Sequence, residues 1–299
     1  MIGKEKGLKI SKTSVANKTL STFYNLGKKY YGNDFGGSDE NVGEPKIVLR
    51  EQLYFALGDR TRVDVELETC RSNKELRTFN ISGIGTAVML ESSYRALALN
   101  YHNYKRLTEK SSFGLLSSNN SESNKRAKSE PRSKKSSSEL EKQVLRDFHN
   151  GILLHWTDLS ITKDEVITFL SLEDSDYLEN VFMVLSRTGF LVRKTDAPSG
   201  ASFHFSFPGI GKIGERITEA RRNVLSRIKR NRYKEILASE IARTALSKER
   251  KKRKRKSSST KTDKQALFYG APFHLDDIIG AGLVRILKTP AGPLLKLND

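Results

Sequence analysis

The sequence predicts a mainly helical α+β fold: three tandem winged-helix domains, preceded by a flexible N-terminal arm and interrupted by two disordered basic insertions. A helix, helix, hairpin order recurs along the chain, and polar runs rich in Ser and Lys separate or interrupt its copies. The third observation is charge. Among 299 residues, 53 are Lys or Arg and 35 are Asp or Glu, a formal net charge of +18. Such an excess favours a polyanionic partner.

Residues 1–44 mix Gly, Asn, Ser and Lys without sustained periodicity and read as a flexible arm ending at "GGSDENVGEP". The first domain spans 45–107. In "KIVLREQLYFAL", Val48, Leu49, Leu53, Phe55, Ala56 and Leu57 have a mostly helical spacing, which "GDRT" breaks. "TRVDVELETCRSN" is a second short helix, capped by Asp59 or Thr61, with Val63, Leu67 and Cys70 inward. Two strands joined by "SGIG" follow, then a short apolar helix or tail. In a winged helix the second helix can enter a DNA groove while the hairpin touches backbone.

Residues 108–139 are Ser-, Asn- and Lys-rich with little apolar content, a disordered linker. The second domain, 140–210, has a helical "SELEKQVLRDFHNGILLHW" and a short helix "TKDEVITFLS" with Thr162 as N-cap. An amphipathic helix capped by Ser175 or Asp176 then turns Val181, Val184 and Leu185 inward. "FLVRKT" and "SFHFSF" alternate as a wing around "DAPSG".

The third domain, 211–299, opens on a run read as one long helical region to Leu246, with Ile213, Ile217, Ala220, Val224 and Ile228 as its buried stripe. A disordered basic loop at 247–265 follows. "FHLDDIIGAGLVRILKTPAGPLLKL" then supplies a short helix with Leu275, Ile278 and Ile279 inward, and strands "LVRIL" and "PLLKL".

Two motifs imitate nucleotide chemistry. Gly209, Gly211 and Gly214 have G-x-G-x-x-G spacing, but the helical run after them contains no second strand, and no G-K-[ST] closes a P-loop. Pro208, Gly209 and Gly211 read instead as a turn from wing to helix. Asp34-Phe35-Gly36 comes too early for the glycine-rich loop, strand lysine and catalytic loop that precede a kinase metal-binding Asp. The five histidines show no paired metal spacing, and one cysteine, Cys70, cannot form an internal disulfide. No apolar run reaches the ~18 residues of a membrane span. A soluble, intracellular, non-catalytic protein without cofactor, metal, small-molecule substrate or membrane partner is expected.

Between Lys212 and Lys256 stand eighteen Lys or Arg against five Asp or Glu. The basic residues lie mostly off the apolar stripe, the footprint of phosphate-backbone contact. The candidate DNA-binding residues are Lys212, Arg216, Arg222, Arg227, Lys229, Arg230, Arg232, Lys234 and Arg243. "KERKKRKRK" reads as an exposed nuclear-import signal that includes Lys251, Lys252, Arg253, Lys254, Arg255 and Lys256.

"FPGIG", "NRYKEILASEI" and above all "FHLDDIIGAGLVRILKTPAGPLLKL" resemble the family historically named serine/threonine-protein kinase 19, with a weaker likeness in "REQLYFALGDRTRVDVEL". The resemblance implies a tandem of three winged helices that binds double-stranded DNA, resides in the nucleus and acts in transcription-coupled nucleotide excision repair with repair and transcription proteins. It also implies that the kinase name is not matched by kinase activity. Lys229 and Arg232 match the family's DNA-contacting positions best, and Arg243 falls near another basic cluster. Glu215 stands where a basic residue is expected. The alternative reading is a protein-interaction scaffold in a nuclear complex, whose basic face meets acidic protein surfaces.

Overall fold

A computed structural model of the chain describes residues 17–33, 35, 44–113, 132–170, 175–194, 202–243 and 269–298. Its order is helix, strand, helix, helix, hairpin, three times over. The first segment comprises α1 (Lys18–Tyr31), β1 (Val48–Leu49), α2 (Arg50–Leu57), α3 (Arg60–Ser72), β2 (Leu76–Ile81) and β3 (Gly85–Leu90). Helices α4 (Glu91–Leu99) and α5 (Tyr101–Phe113) lead to the second: α6 (Arg132–Asp147), continued by a π-helical stretch Phe148–Leu153, then β4 (Ser160–Thr162), α7 (Lys163–Leu170), α8 (Ser175–Thr188), β5 (Leu191–Arg193) and β6 (Ser202–Phe205). The third has α9 (Ile210–Arg230), β7 (Glu235–Leu237), α10 (238–243), α11 (Gly270–Gly280), β8 (Val284–Thr289) and β9 (Gly292–Leu297).

Each segment closes an antiparallel three-stranded sheet of identical topology: β1-β3-β2, β4-β6-β5 and β7-β9-β8. The fold class is therefore α+β and mainly helical, as expected. The isolated first strand of each sheet was not anticipated. Val48 and Leu49 were assigned to a helix, and Glu235–Leu237 to the continuation of α9. Two or three residues are too few to display a period of two. Only pairing with the hairpin, as in Val48↔Val88 and Ile236↔Leu295, makes them strands.

Three further expectations are corrected. The arm contains α1, whose Phe23, Leu26 and Gly27 are buried, so its residues 18–31 are no flexible tether. Asn17 caps it, accepting from the Leu20 N–H at 3.0 Å, and the Thr19 N–H donates to Glu66 at 2.8 Å. The linker is shorter than 108–139, because α5 runs to Phe113 and α6 starts at Arg132; residues 114–131 lie outside the described residues. Gly211 is in the first turn of α9, not in the preceding turn. The three inward positions on α11 hold: Ile278 is fully buried, and half-buried Leu275 and Ile279 pack against the same core.

Local capping follows expectation elsewhere. Asp59 accepts from the Arg62 N–H at 3.0 Å and caps α3. Thr162 and Glu165 bond reciprocally at the start of α7, a capping box. Cys70 is buried, and burial foremost pushes its thiol up to about 12.

Helix α9 joins two cores. At ~1.5 Å per residue its 21 residues span about 31 Å. Ile213 and Ile217 enter a cluster that also holds Phe79, Tyr94, Phe190 and Phe207, where the first hairpin meets the second segment. Phe79 and Phe207 lie edge-to-face with centroids 5.0 Å apart. Two to three turns beyond Ile217, Val224 and Ile228 enter the core of the third sheet with Ile278 and Leu295. Helix α11 turns back onto the first segment. Gln52 donates from α2 to the Phe273 carbonyl at 2.8 Å, and Tyr30 donates from α1 to Asp276 at 2.7 Å.

Candidate nucleic-acid interface

Helix α9 owes its length to helix-favouring Arg, Glu, Ala, Leu and Ile after Gly214, and it ends where Asn231 turns extended, at ψ 143°. Arg227, Lys229 and Arg230 occupy its last turn, complementing the negative end of the helix dipole. The chain then makes a tight turn, with the Lys234 N–H donating to the Asn231 carbonyl at 3.0 Å, and enters β7.

The nine candidate residues do not form one surface. Lys229, Arg230, Arg232 and Lys234 are all exposed and contiguous, at the end of α9 and in the turn. Arg222, two turns earlier, is exposed on the wall of a cleft of about 1050 Å³ between the first hairpin, β5–β6 and α9. Lys212 is exposed at the opposite end of the helix, about 25 Å from Lys229 along the axis. Arg216 is half-buried and ion-paired with Glu44 at 3.2 Å, and Arg227 is half-buried. Arg243 is exposed at the end of α10, beyond β7. Glu215 and Glu219 also interrupt the first half of the helix. The concentrated positive charge is thus the C-terminal end of α9 and its turn. The import-signal residues 251–256 lie outside the described residues.

Two basic residues on the same segment escaped sequence reasoning. Arg285 and Lys288 are exposed on β8, an edge strand of the third sheet. Alternation identifies a strand, but which strand forms the edge depends on pairing order. Conversely, Arg221 is basic yet committed: it forms a bidentate ion pair with fully buried Asp277. Its place beside Ala220 and Val224, at the margin of the stripe, was the available signal.

In a helix-turn-helix the second helix reads the groove. None of the three corresponding helices offers a basic face here. The exposed side of α3 carries Asp64, Val65 and Glu68 beside Arg60, which lies over Tyr54, and that of α8 carries Asp176, Glu179 and Met183 beside Arg187, which pairs with Glu141. Helix α11 is largely buried, including Phe273, His274, Asp276 and Asp277. The exposed cations are concentrated instead at the end of α9 and in the turn after it.

The two nucleotide-like motifs have structural explanations. Gly209 precedes α9 at φ +85°, and a Cβ on Gly214 would lie 2.9 Å from the Ile81 side chain. One glycine makes the turn, the other lets helix and hairpin approach. A strand does follow α9, contrary to expectation, but β7 pairs antiparallel with β9 in a different sheet from β6, so there is no βαβ unit. Phe35 is a buried anchor stacked on Tyr31, with centroids 5.7 Å apart, while Asp34 and Gly36 lie outside the described residues. Among the described residues no His, Cys, Asp and Glu group could hold a metal, and no helix is long and apolar enough to cross a membrane.

The chain is 26% identical over 259 residues to Winged helix repair factor 1 of Xenopus laevis, covering 85% of this chain and 76% of that protein. The human protein of the same name is 23% identical over 259 residues, covering 85% and 78%. That of Dictyostelium discoideum is 28% identical over 156 residues, covering 52% of this chain and 34% of the relative. A family model described as inactive serine-threonine protein kinase 19 matches residues 40–297, and the chain belongs to that family.

Proposed function

We propose that this protein is a non-catalytic DNA-binding factor of nuclear DNA repair, built of three winged-helix domains and bridging DNA to repair or transcription proteins. Its place is transcription-coupled nucleotide excision repair. The domains correspond to 45–107, 140–210 and 211–299, with α1 added to the first. The observation that carries DNA binding is the exposed cluster Lys229, Arg230, Arg232 and Lys234, at the end of a helix anchored in two cores and in the turn that follows it. Four cations held on a packed scaffold, with no acidic residue among them, suit consecutive phosphates. The names of the relatives support repair as the process.

The bridging role has its own support. The exposed sides of α3 and α8 combine acidic residues with Val65 and Met183, each more than half exposed. Such surfaces suit proteins better than DNA.

Fluorescence-anisotropy titration of a labelled random duplex across a salt series tests the reading. Neutralising four phosphates gives a slope of roughly −3.6 in log affinity against log salt, which Lys229→Glu/Arg232→Glu should flatten by roughly half. Binding indifferent to salt and to both substitutions would favour the scaffold reading, in which the basic face meets acidic protein surfaces.

A further inference from the structure

Tyr233 packs into no core among the described residues. It is 65% exposed, whereas the next most exposed of the ten tyrosines, Tyr24, is 37% exposed. Large aromatic rings are costly to leave in water, so an unpacked one on an ordered turn calls for an occupant.

The turn holds this ring in place. The Lys234 N–H donates to the Asn231 carbonyl at 3.0 Å, the Asn231 side chain donates to the Glu235 carbonyl at 2.7 Å, and the Leu297 N–H donates to the Lys234 carbonyl at 3.2 Å. Lys234 adopts φ +52°, a left-handed conformation that only Lys74 shares among the described non-glycine residues. A non-glycine residue persists there because the surrounding bonds over-determine it. The Arg232 guanidinium lies over the ring, 5.4 Å from its centroid. Lys229, Arg230, Arg232 and Lys234 surround it with exposed positive charge.

An ordered, exposed aromatic ring amid cations is the chemistry that recognises an unpaired base: cations hold the phosphates while the π-face receives the base. A base inside a duplex is already stacked on both faces and has no use for the ring. We propose that Tyr233 is a stacking platform for an unpaired base, so that the turn's ligand is nucleic acid with a single-stranded stretch. This rests on the DNA-binding reading above and specifies its substrate.

The test compares the full chain with Tyr233→Ala and Tyr233→Phe on two fluorescent ligands, an unstructured single-stranded oligonucleotide and a blunt duplex. Tyr233→Ala should weaken single-strand binding about tenfold and leave duplex binding unchanged, while Tyr233→Phe should match the unmodified chain on both. A 2-aminopurine within the single strand should be quenched on binding, and Tyr233→Ala should abolish the quenching. Equal losses on both ligands would reduce the ring to shaping the turn and overturn the proposal. An unchanged single-strand affinity, with salt-sensitive duplex binding intact, would overturn the stacking role while leaving DNA binding standing. If neither ligand binds in a salt-sensitive manner, both readings fall together.

Discussion

Arg221 on α9 holds Asp277 on α11 by two bonds, Nε to Oδ2 at 2.8 Å and Nη2 to Oδ1 at 2.7 Å, and donates from Nη2 to the Ile84 carbonyl at 3.2 Å. One guanidinium therefore ties α9 and α11 to the tip of the first hairpin. Burial pushes the Asp277 carboxyl up from its usual range and the Arg221 bonds oppose that shift. Breaking such a pair from one side leaves a buried charge alone, at a cost of about 3–5 kcal/mol. Arg221→Met should lower the urea midpoint accordingly, whereas Arg222→Met, one residue away and exposed, should leave it nearly unmoved. Equal midpoints would show that the pair does not hold the segments.

His274, beside that pair, supplies a pH dependence. Burial foremost, then the Arg221 charge, lowers its imidazole from 6.5 to about 4, and neither ring nitrogen has a hydrogen-bond partner among the described residues. The unfolded chain takes up the proton below pH 6.5 while the folded chain resists until about pH 4. Stability is therefore full above pH 6.5 and is lost as pH falls through that window. Thermal melts across it should show a shallower decline for His274→Leu than for the unmodified chain.

Two glycines of the G-x-G-x-x-G run, Gly211 and Gly214, and Gly280 on α11 should separate by environment. Nothing lies within 4 Å of a Cβ built on Gly211, which is helical, so Gly211→Ala should be neutral or stabilise by up to about 1 kcal/mol. Gly214→Ala presses on Ile81 and should destabilise. Gly280→Ala, on α11, would drive a methyl into the Glu51 backbone, which cannot yield as a side chain tip can, and should be the most damaging. Differential scanning calorimetry on the set would reveal any other order.

Helix α1 should behave as core. Phe23 is fully buried and packs at 5.4 Å, centroid to centroid, against Phe35. Phe23→Ala should cost about 3–5 kcal/mol in denaturant unfolding. A loss under about 1 kcal/mol, the range of exposed substitutions, would return α1 to the status of a tether.

Much of this was legible in the residues. The stripe Ile213, Ile217, Ala220, Val224 and Ile228, the hairpins about "SGIG" and "KTPAG", and the caps Asp59 and Thr162 all rest on interactions within a few residues. Helix α1 was not read, because its apolar positions are interspersed with Asn, Gly and Lys, and only the faces of α2 and α3 reveal what they cover. The candidate site was legible as a concentration of charge but not as a surface.

By itself, then, the sequence determined the local content of the protein: where helices and strands repeat, which face of α9 is apolar, and that positive charge gathers towards its end. These depend on periodicity and composition, which adjacent residues express without any partner. Tertiary structure decided which cations are free. It took Arg216 into a pair with Glu44 and Arg221 into one with Asp277, buried α11 against the first segment, and left Tyr233 in solvent amid Lys229, Arg230, Arg232 and Lys234. Desolvation and pairing depend on distances through space between residues far apart in the chain, and no spacing along one segment encodes them.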